Sequence, residues 1–388
     1  MSTSARRRAS VARAPLVGLA LLAGAAGPLA AQRFWRQNLY PYAYYSTIDG
    51  LWAAFHYGRY SPVGFVERPE PNLAALNFHA SASTRGSWAL VADAEAPAWW
   101  EGWRAGLTLT AARDNRLGFY GLGNDTRYFA DSAAGGSHFY QVSRTRTGAR
   151  LTIQRRIVGP VRLLAGAAVV RTDFRALPGD NIFRRDLASG VVDPATVPFT
   201  DKVARVGIVL DTRDHEIDPH RGLFLEALFA SGTGYTRTTA HARVAVHPLE
   251  RLVLAARLAG EGTGGTPPLA AQLAMEASDR PFTAVGGYRS LRGFYDARFA
   301  GRGKLLGGIE ARYAVLWAPS ILELKLVAFY DVGRVFDAGE RWRLTTTGLH
   351  RSGGGELALR FLRNSLLVVG YGRGSEGGQL LFGTSWSY

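Results

Sequence analysis

The chain has 388 residues, 47 % of them hydrophobic, with 46 glycines, no cysteine and a formal charge of +15; its mean hydropathy is −0.04. Abundant apolar residues without one long apolar block exclude a polytopic helical membrane protein, and the same abundance excludes a disordered polyelectrolyte. The lack of cysteine excludes a disulfide framework, a thiolate metal site and a cysteine nucleophile.

From the amino end, residues 1–31 read as a secretory signal peptide. Arg6, Arg7, Arg8 and Arg13 form its basic region, Leu16 to Gly24 its apolar region, and Pro28-Leu29-Ala30-Ala31 a small-residue cleavage site before Gln32. Cleavage leaves 42 basic and 31 acidic side chains, a charge of +11 over 357 residues. On an exported chain this basic balance gives no argument for nucleic acid as a partner.

After Gln32 no 3.6-residue apolar period is sustained, and two-residue alternation recurs instead. Strands are predicted near 39–45, 50–60, 72–83, 86–95, 102–113, 143–157, 161–175, 202–213, 222–232, 237–247, 251–261, 303–317, 321–333, 352–361, 365–373 and 379–388. Several have a charged face. Arg251, Arg257 and Glu261 oppose Leu252, Leu254 and Leu258; Lys304, Glu310 and Arg312 oppose Leu305, Ile309 and Tyr313. Glu323, Lys325 and Asp331 oppose Leu322, Leu324 and Leu326, and Glu356 and Arg360 oppose Leu357 and Leu359. In the last segment Leu380, Phe382, Thr384, Trp386 and Tyr388 share one face.

A soluble sandwich would alternate too. Charges repeated over neighbouring strands, aromatics near strand ends (Tyr42, Tyr44, Tyr45, Trp99, Trp100, Trp103) and an aromatic final strand favour an all-β transmembrane antiparallel barrel of about 16 strands. The expected organisation is a leader over 1–31 and one barrel over 32–388. An even strand count puts both ends on the periplasmic side. The long connections 114–142, 176–201, 262–302 and 334–351 are then extracellular. The turns Val158-Gly159-Pro160, His247 to Glu250, Ala318-Pro319-Ser320 and Leu362-Arg363-Asn364 are short and periplasmic. About twenty residues separate the leader from the second strand, so no soluble periplasmic domain is expected there.

Enzymatic signals are weak. Eight histidines without a His-Glu-x-x-His spacing give no basis for a metal or cofactor. The runs Gly262-Thr263-Gly264-Gly265 and Gly353-Gly354-Gly355 precede no helix, so neither reads as a phosphate cradle. Ser137, His138 and Asp131 could compose a hydrolase triad, as scattered residues could in any exported chain of this length.

The informative stretch is Gly286-Gly287-Tyr288-Arg289-Ser290-Leu291-Arg292-Gly293-Phe294. Leu291-Arg292-Gly293-Phe294 resembles the Val/Ile-Arg-Gly-Phe/Tyr signature on the sixth extracellular loop of BamA/TamA-type outer-membrane proteins, the bacterial surface antigen family. Asp211-Thr212-Arg213-Asp214, followed by Pro219 and Gly222, is similar to that family's turn between the eighth and ninth strands. Phe329-Tyr330-Asp331-Val332-Gly333 resembles its aromatic-x-Asp-x-Gly motif on the thirteenth strand, and Phe119 to Thr126 is similar to members without periplasmic domains. The likeness is strongest over 201–388.

On its residues alone, Arg292 reads either as a solvated loop cation or as a lumen contact. Glu310 and Asp331 lie on the charged faces of the two strands after the loop, and a planar guanidinium can bridge two such carboxylates. Gly293 permits a tight backbone turn, and Phe294 can pack apolar area beside the charge. The resemblance implies the lumen contact: the loop folds back into the barrel and Arg292 is locked to Glu310 and Asp331. The segment from Asp211 to Gly222 reads as a well-fixed turn. Phe382, Trp386 and Tyr388 resemble the terminal-strand signal read by barrel-assembly machinery during biogenesis, and the same side chains are expected to face lipid.

The family inserts or translocates proteins across the outer membrane, with periplasmic POTRA domains receiving clients. This chain reads as a member lacking POTRA domains. The resemblance therefore implies a bacterial outer-membrane barrel, surrounded by lipid and lipopolysaccharide, that assists protein or lipid handling, with a separate periplasmic protein as candidate partner. The alternative is a passive pore or structural barrel with a lumen-plugging loop.

Overall fold

The computed structural model describes residues 34–46, 48–63, 68–133, 137–318, 321–361 and 365–388. The leader over 1–31, Pro319-Ser320 and the turn Leu362-Arg363-Asn364 lie outside the described residues. Sixteen strands form one antiparallel sheet, each paired with its neighbour in the chain order of the sheet. They are β1 (Arg36–Ser46), β2 (Gly50–Pro62), β3 (Asn72–Ser83), β4 (Trp88–Trp100), β5 (Trp103–Gly118), β6 (Gln141–Val158), β7 (Val161–Ala176), β8 (Phe199–Asp211), β9 (Gly222–Gly232), β10 (Tyr235–Leu249) and β11 (Leu252–Gly265), then β14 (Gly303–Ala318), β15 (Leu322–Phe336), β16 (His350–Phe361), β17 (Ser365–Gly374) and β18 (Gly377–Gly383). The remaining two, β12 (Ala274–Met275) and β13 (Phe282–Thr283), make a small hairpin inside the connection from β11 to β14.

Alternation builds this sheet. On β15, Leu326 and Tyr330 are exposed outward while Glu323, Lys325 and Asp331 are buried inward. On β14, Ile309 and Tyr313 point out and Glu310 and Arg312 point in. A closed wall is the arrangement in which such a sheet satisfies its backbone groups in lipid while its charged face stays away from hydrocarbon. No helix among the described residues is long and apolar enough to cross a membrane.

The core lies inside the wall. The 266–302 segment turns inward, and its Met275, Phe282, Val285, Leu291, Phe294 and Phe299 pack with Leu306 of β14 and Val335 of β15. Beside it, Phe119, Val142, Phe174, Phe183 and Leu269 form a second cluster shared by three long connections. Strands β1 to β4 contribute nothing to these clusters. The first ten residues of β1 are exposed on both faces. The lumen is therefore filled on one side and open along the first strands.

Three details differ from the sequence reading. The last strand ends at Gly383 rather than at Tyr388, and Trp386 and Tyr388 turn into the lumen instead of facing lipid. Trp386 is 5 % exposed, whereas Phe382 is 67 % exposed. Inside, Trp386 finds cations and a carboxylate for its ring and its N–H, which lipid could not supply. Second, Tyr42 and Tyr44 line the lumen rather than an outer aromatic girdle. Tyr44 pairs with Trp52 across β1 and β2 and stacks on it at 5.7 Å, and Tyr42 meets His79 Nδ1 at 3.3 Å. Third, among the described residues the connections contain three α-helices, α1 (Ala130–Ala133), α2 (Ile182–Ser189) and α3 (Leu269–Gln272), each too short to register as a period.

Candidate functional site

The nine-residue stretch 286–294 is a compact turn. Gly286 and Gly287 take φ of +114° and +95°, a region that L side chains avoid. Ser290 Oγ accepts the Gly286 N–H at 2.8 Å, and Phe294 N–H closes on Leu291 O at 3.1 Å. The turn is pressed against the wall. A Cβ on Gly293 would sit 2.4 Å from the Arg373 carbonyl carbon of β17, and a Cβ on Gly372 would sit 2.6 Å from Arg292 O. These glycines let two backbones meet, which sets Arg292 at a fixed depth.

Arg292 is fully buried. Its Nε and Nη2 donate to the two oxygens of Asp331 at 2.8 and 2.9 Å, a bidentate fork. Its Nη1 donates to Glu310 at 2.6 Å and to Glu356 at 3.2 Å. The guanidinium lies 3.7 Å over the Phe329 ring. The loop cation thus joins three carboxylates from β14, β15 and β16. Two more cations complete the group. Arg312 Nε donates to the other oxygen of Glu310 at 2.7 Å and stacks 3.9 Å from Trp386. Arg257 of β11 lies 3.6 Å from Asp331, donates to the carbonyls of Arg289 and Ser290, and lies 4.4 Å over the Tyr388 ring. Three guanidiniums face three carboxylates, so the buried charges balance. A buried ion group persists only when its charges are compensated in this way. Glu310, Asp331, Gly293 and Phe294 were singled out from sequence; Glu356, Arg257 and Arg312 were not assigned to the group. Their signal was present, since alternation places all three on the charged faces.

The 212–221 turn also reaches inward. Asp211 accepts from Arg213 Nε at 2.9 Å and from Arg162 at 3.2 Å, while Asp214 Oδ1 accepts the His220 N–H at 3.0 Å. Gly222 has φ of +117°, and a Cβ there would lie 2.4 Å from Thr212 O. Pro219 lines the lumen beside Ile217. The contact sequence reasoning missed is Asp218. Its carboxylate accepts from Lys325 Nζ at 2.6 Å and Trp386 Nε1 at 2.8 Å, and lies 3.2 Å from Arg360. Burial alone would push this carboxyl up, but Lys325 and His220 outweigh it and hold it well below the usual carboxylate range. Asp218, His220 and Glu323 come within metal-ligand spacing of one another. The Lys325 ammonium already touches all three, at 2.6, 3.2 and 3.1 Å, and supplies the positive charge a metal would bring.

Ser137, His138 and Asp131 are not brought together as a triad. Ser137 Oγ accepts from Phe139 N–H and His138 Nδ1 meets Gln141 Oε1, while Asp131 sits in α1.

The sequence profile described as the Omp85 superfamily domain matches residues 75–372. Among solved structures, BamA from Haemophilus ducreyi lacking POTRA domains 1–3 superposes with a TM-score of 0.54 at 13 % identity, over 90 % of this chain and 68 % of that one. CdiB from Escherichia coli superposes with a TM-score of 0.53 at 9 % identity, over 92 % of this chain and 62 % of that one. No curated protein matches the sequence.

Proposed function

The chain belongs to the Omp85 superfamily, and from that premise we propose that it is an outer-membrane barrel that assists insertion or translocation of protein, or of lipid, at the bacterial outer membrane. The observation that carries this reading is the lock of the 286–294 turn. Arg292 binds three carboxylates on three adjacent strands, so the loop is anchored to the wall inside the lumen. Arg292, Gly293, Phe294, Glu310 and Asp331 hold the loop in place. The Asp211, Arg213, Asp214, Pro219 and Gly222 turn braces the opposite wall. At the sheet ends, β18 has seven residues against eleven in β1, so the two edge strands offer unequal pairing to each other or to a client strand. In this reading Phe382 lies on the outward face that assembly machinery meets, whereas Trp386 and Tyr388 close the lock from within. A separate periplasmic protein delivers the client.

A passive pore is the second reading, and the open side of the lumen along β1 to β4 favours it. Two measurements decide. Depletion of the protein should lower outer-membrane protein or lipopolysaccharide levels; unchanged levels count against assembly assistance. In planar-bilayer recordings the wild-type barrel should show low conductance and Arg292→Ala large steady conductance. Large wild-type conductance would favour the pore.

A further inference from the structure

Below the locked turn, toward the short-turn end, the lumen holds a chamber of about 660 Å³. Seven arginines face it against four carboxylates. Most of the arginines have a partner. Arg104 forks onto Glu216 at 2.6 and 2.8 Å, Arg162 and Arg213 share Asp211, and Arg280 lies 4.0 Å from Glu95.

Arg243 and Arg289 differ. Among the described residues neither guanidinium makes a contact ion pair, although burial pushes the Asp279 carboxyl of the chamber lining up and both cations, acting through space, hold it below the usual carboxylate range. Each rests instead on an aromatic face, Arg243 at 5.1 Å over Phe224 and Arg289 at 4.8 Å over Phe282. A cation–π contact uses the flat face of the guanidinium and leaves the N–H edge unpaired. Phe224 is itself fixed, since Arg213 covers it at 4.7 Å. Among the described residues three further donors of the lining are buried without a hydrogen bond: Arg150 Nε, Arg162 Nε and the Tyr388 hydroxyl. An unmet buried donor is costly unless something arrives to accept from it. These groups come from β6, β7, β10, the inward loop and the segment after β18, and all line one chamber.

A planar carboxylate presents two oxygens in one direction and could satisfy one of these groups. A tetrahedral oxyanion presents oxygens in several directions and can accept from opposed forks at once. We propose that this chamber is a binding site for a phosphate group, with Arg243 and Arg289 as its two principal ligands.

The test is isothermal titration of the full barrel in detergent, folding being checked by heat-modifiable gel mobility, with inorganic phosphate and glycerol 3-phosphate as probes. Saturable phosphate binding is expected, weakened roughly tenfold or more by Arg243→Gln and by Arg289→Gln, and retained in Arg175→Gln at the far end of β7. Tighter binding of glycerol 3-phosphate than of phosphate would assign the site to a headgroup, and equal binding would assign it to the free ion. Absence of saturable binding to wild type, or affinity unchanged in both folded chamber variants, overturns the proposal. Arg289→Gln lies in the inward loop and not on a wall strand, so it remains informative should Arg243→Gln fail to fold.

Discussion

Arg292→Ala tests the lock most directly. The substitution removes a cation bonded to Asp331, Glu310 and Glu356 in a site with no exposure. Three carboxylates then face the two guanidiniums of Arg257 and Arg312. Removing one partner of a buried ion group costs about 3–5 kcal/mol, and the two remaining cations place the cost toward the lower end. About 3 kcal/mol corresponds to a somewhat more than hundredfold rise in the population with the loop out of its seat. The chain has no cysteine, so Ser290→Cys, at a fully buried position beside Arg292, supplies a single reporter thiol. Maleimide should modify this thiol very slowly in the otherwise wild-type barrel and on the order of a hundredfold faster when Arg292→Ala is added. Arg292→Lys should fall between, since an ammonium keeps the charge but cannot fork. Equal labelling rates in folded barrels with and without Arg292→Ala would refute the claim that this ion group holds the loop.

Gly293→Ala places a methyl 2.4–2.5 Å from the backbone of Arg373 and Gly374; thermal unfolding should report a loss of about 1–3 kcal/mol from overpacking. Asp218→Asn removes the anion on which Lys325, Arg360 and Trp386 converge; it should cost about 3 kcal/mol and expose the 212–221 turn to protease in limited digestion. Trp386→Ala should destabilise the folded barrel by about 3–5 kcal/mol in urea unfolding from micelles. Phe382→Ala, outward on β18, should cost less than half of that. Glu261→Gln should destabilise by about 3 kcal/mol because it strands buried Lys304, 2.7 Å away. The double variant Glu261→Leu with Lys304→Met should lose less than either single change, a coupling that a double-mutant cycle of unfolding energies measures.

Much of this was legible in the chain. A strand's side chains alternate by geometry alone, so the charged faces of Glu310, Asp331 and Glu356 could be read before any contact was known. The sixteen wall strands were legible because polar and glycine-rich punctuation separates them. The Leu291-Arg292-Gly293-Phe294 signature marked the loop. Alternation assigns a side chain to a face, but not to a position around the wall or a depth within it. Those depend on how the sheet curves and how far its strands are staggered, properties of all the strands together. For that reason the meeting of Asp218 with Lys325 and Trp386, from segments far apart in sequence, arises only in the folded lumen. The same holds for Tyr42 and Tyr44, whose aromatic character suits either an interface or a lumen, and whose pairing with β2 decides for the lumen. The inward turn of Trp386 and Tyr388 was likewise set by what awaited them, since Asp218, Arg312 and Arg257 provide partners that hydrocarbon lacks.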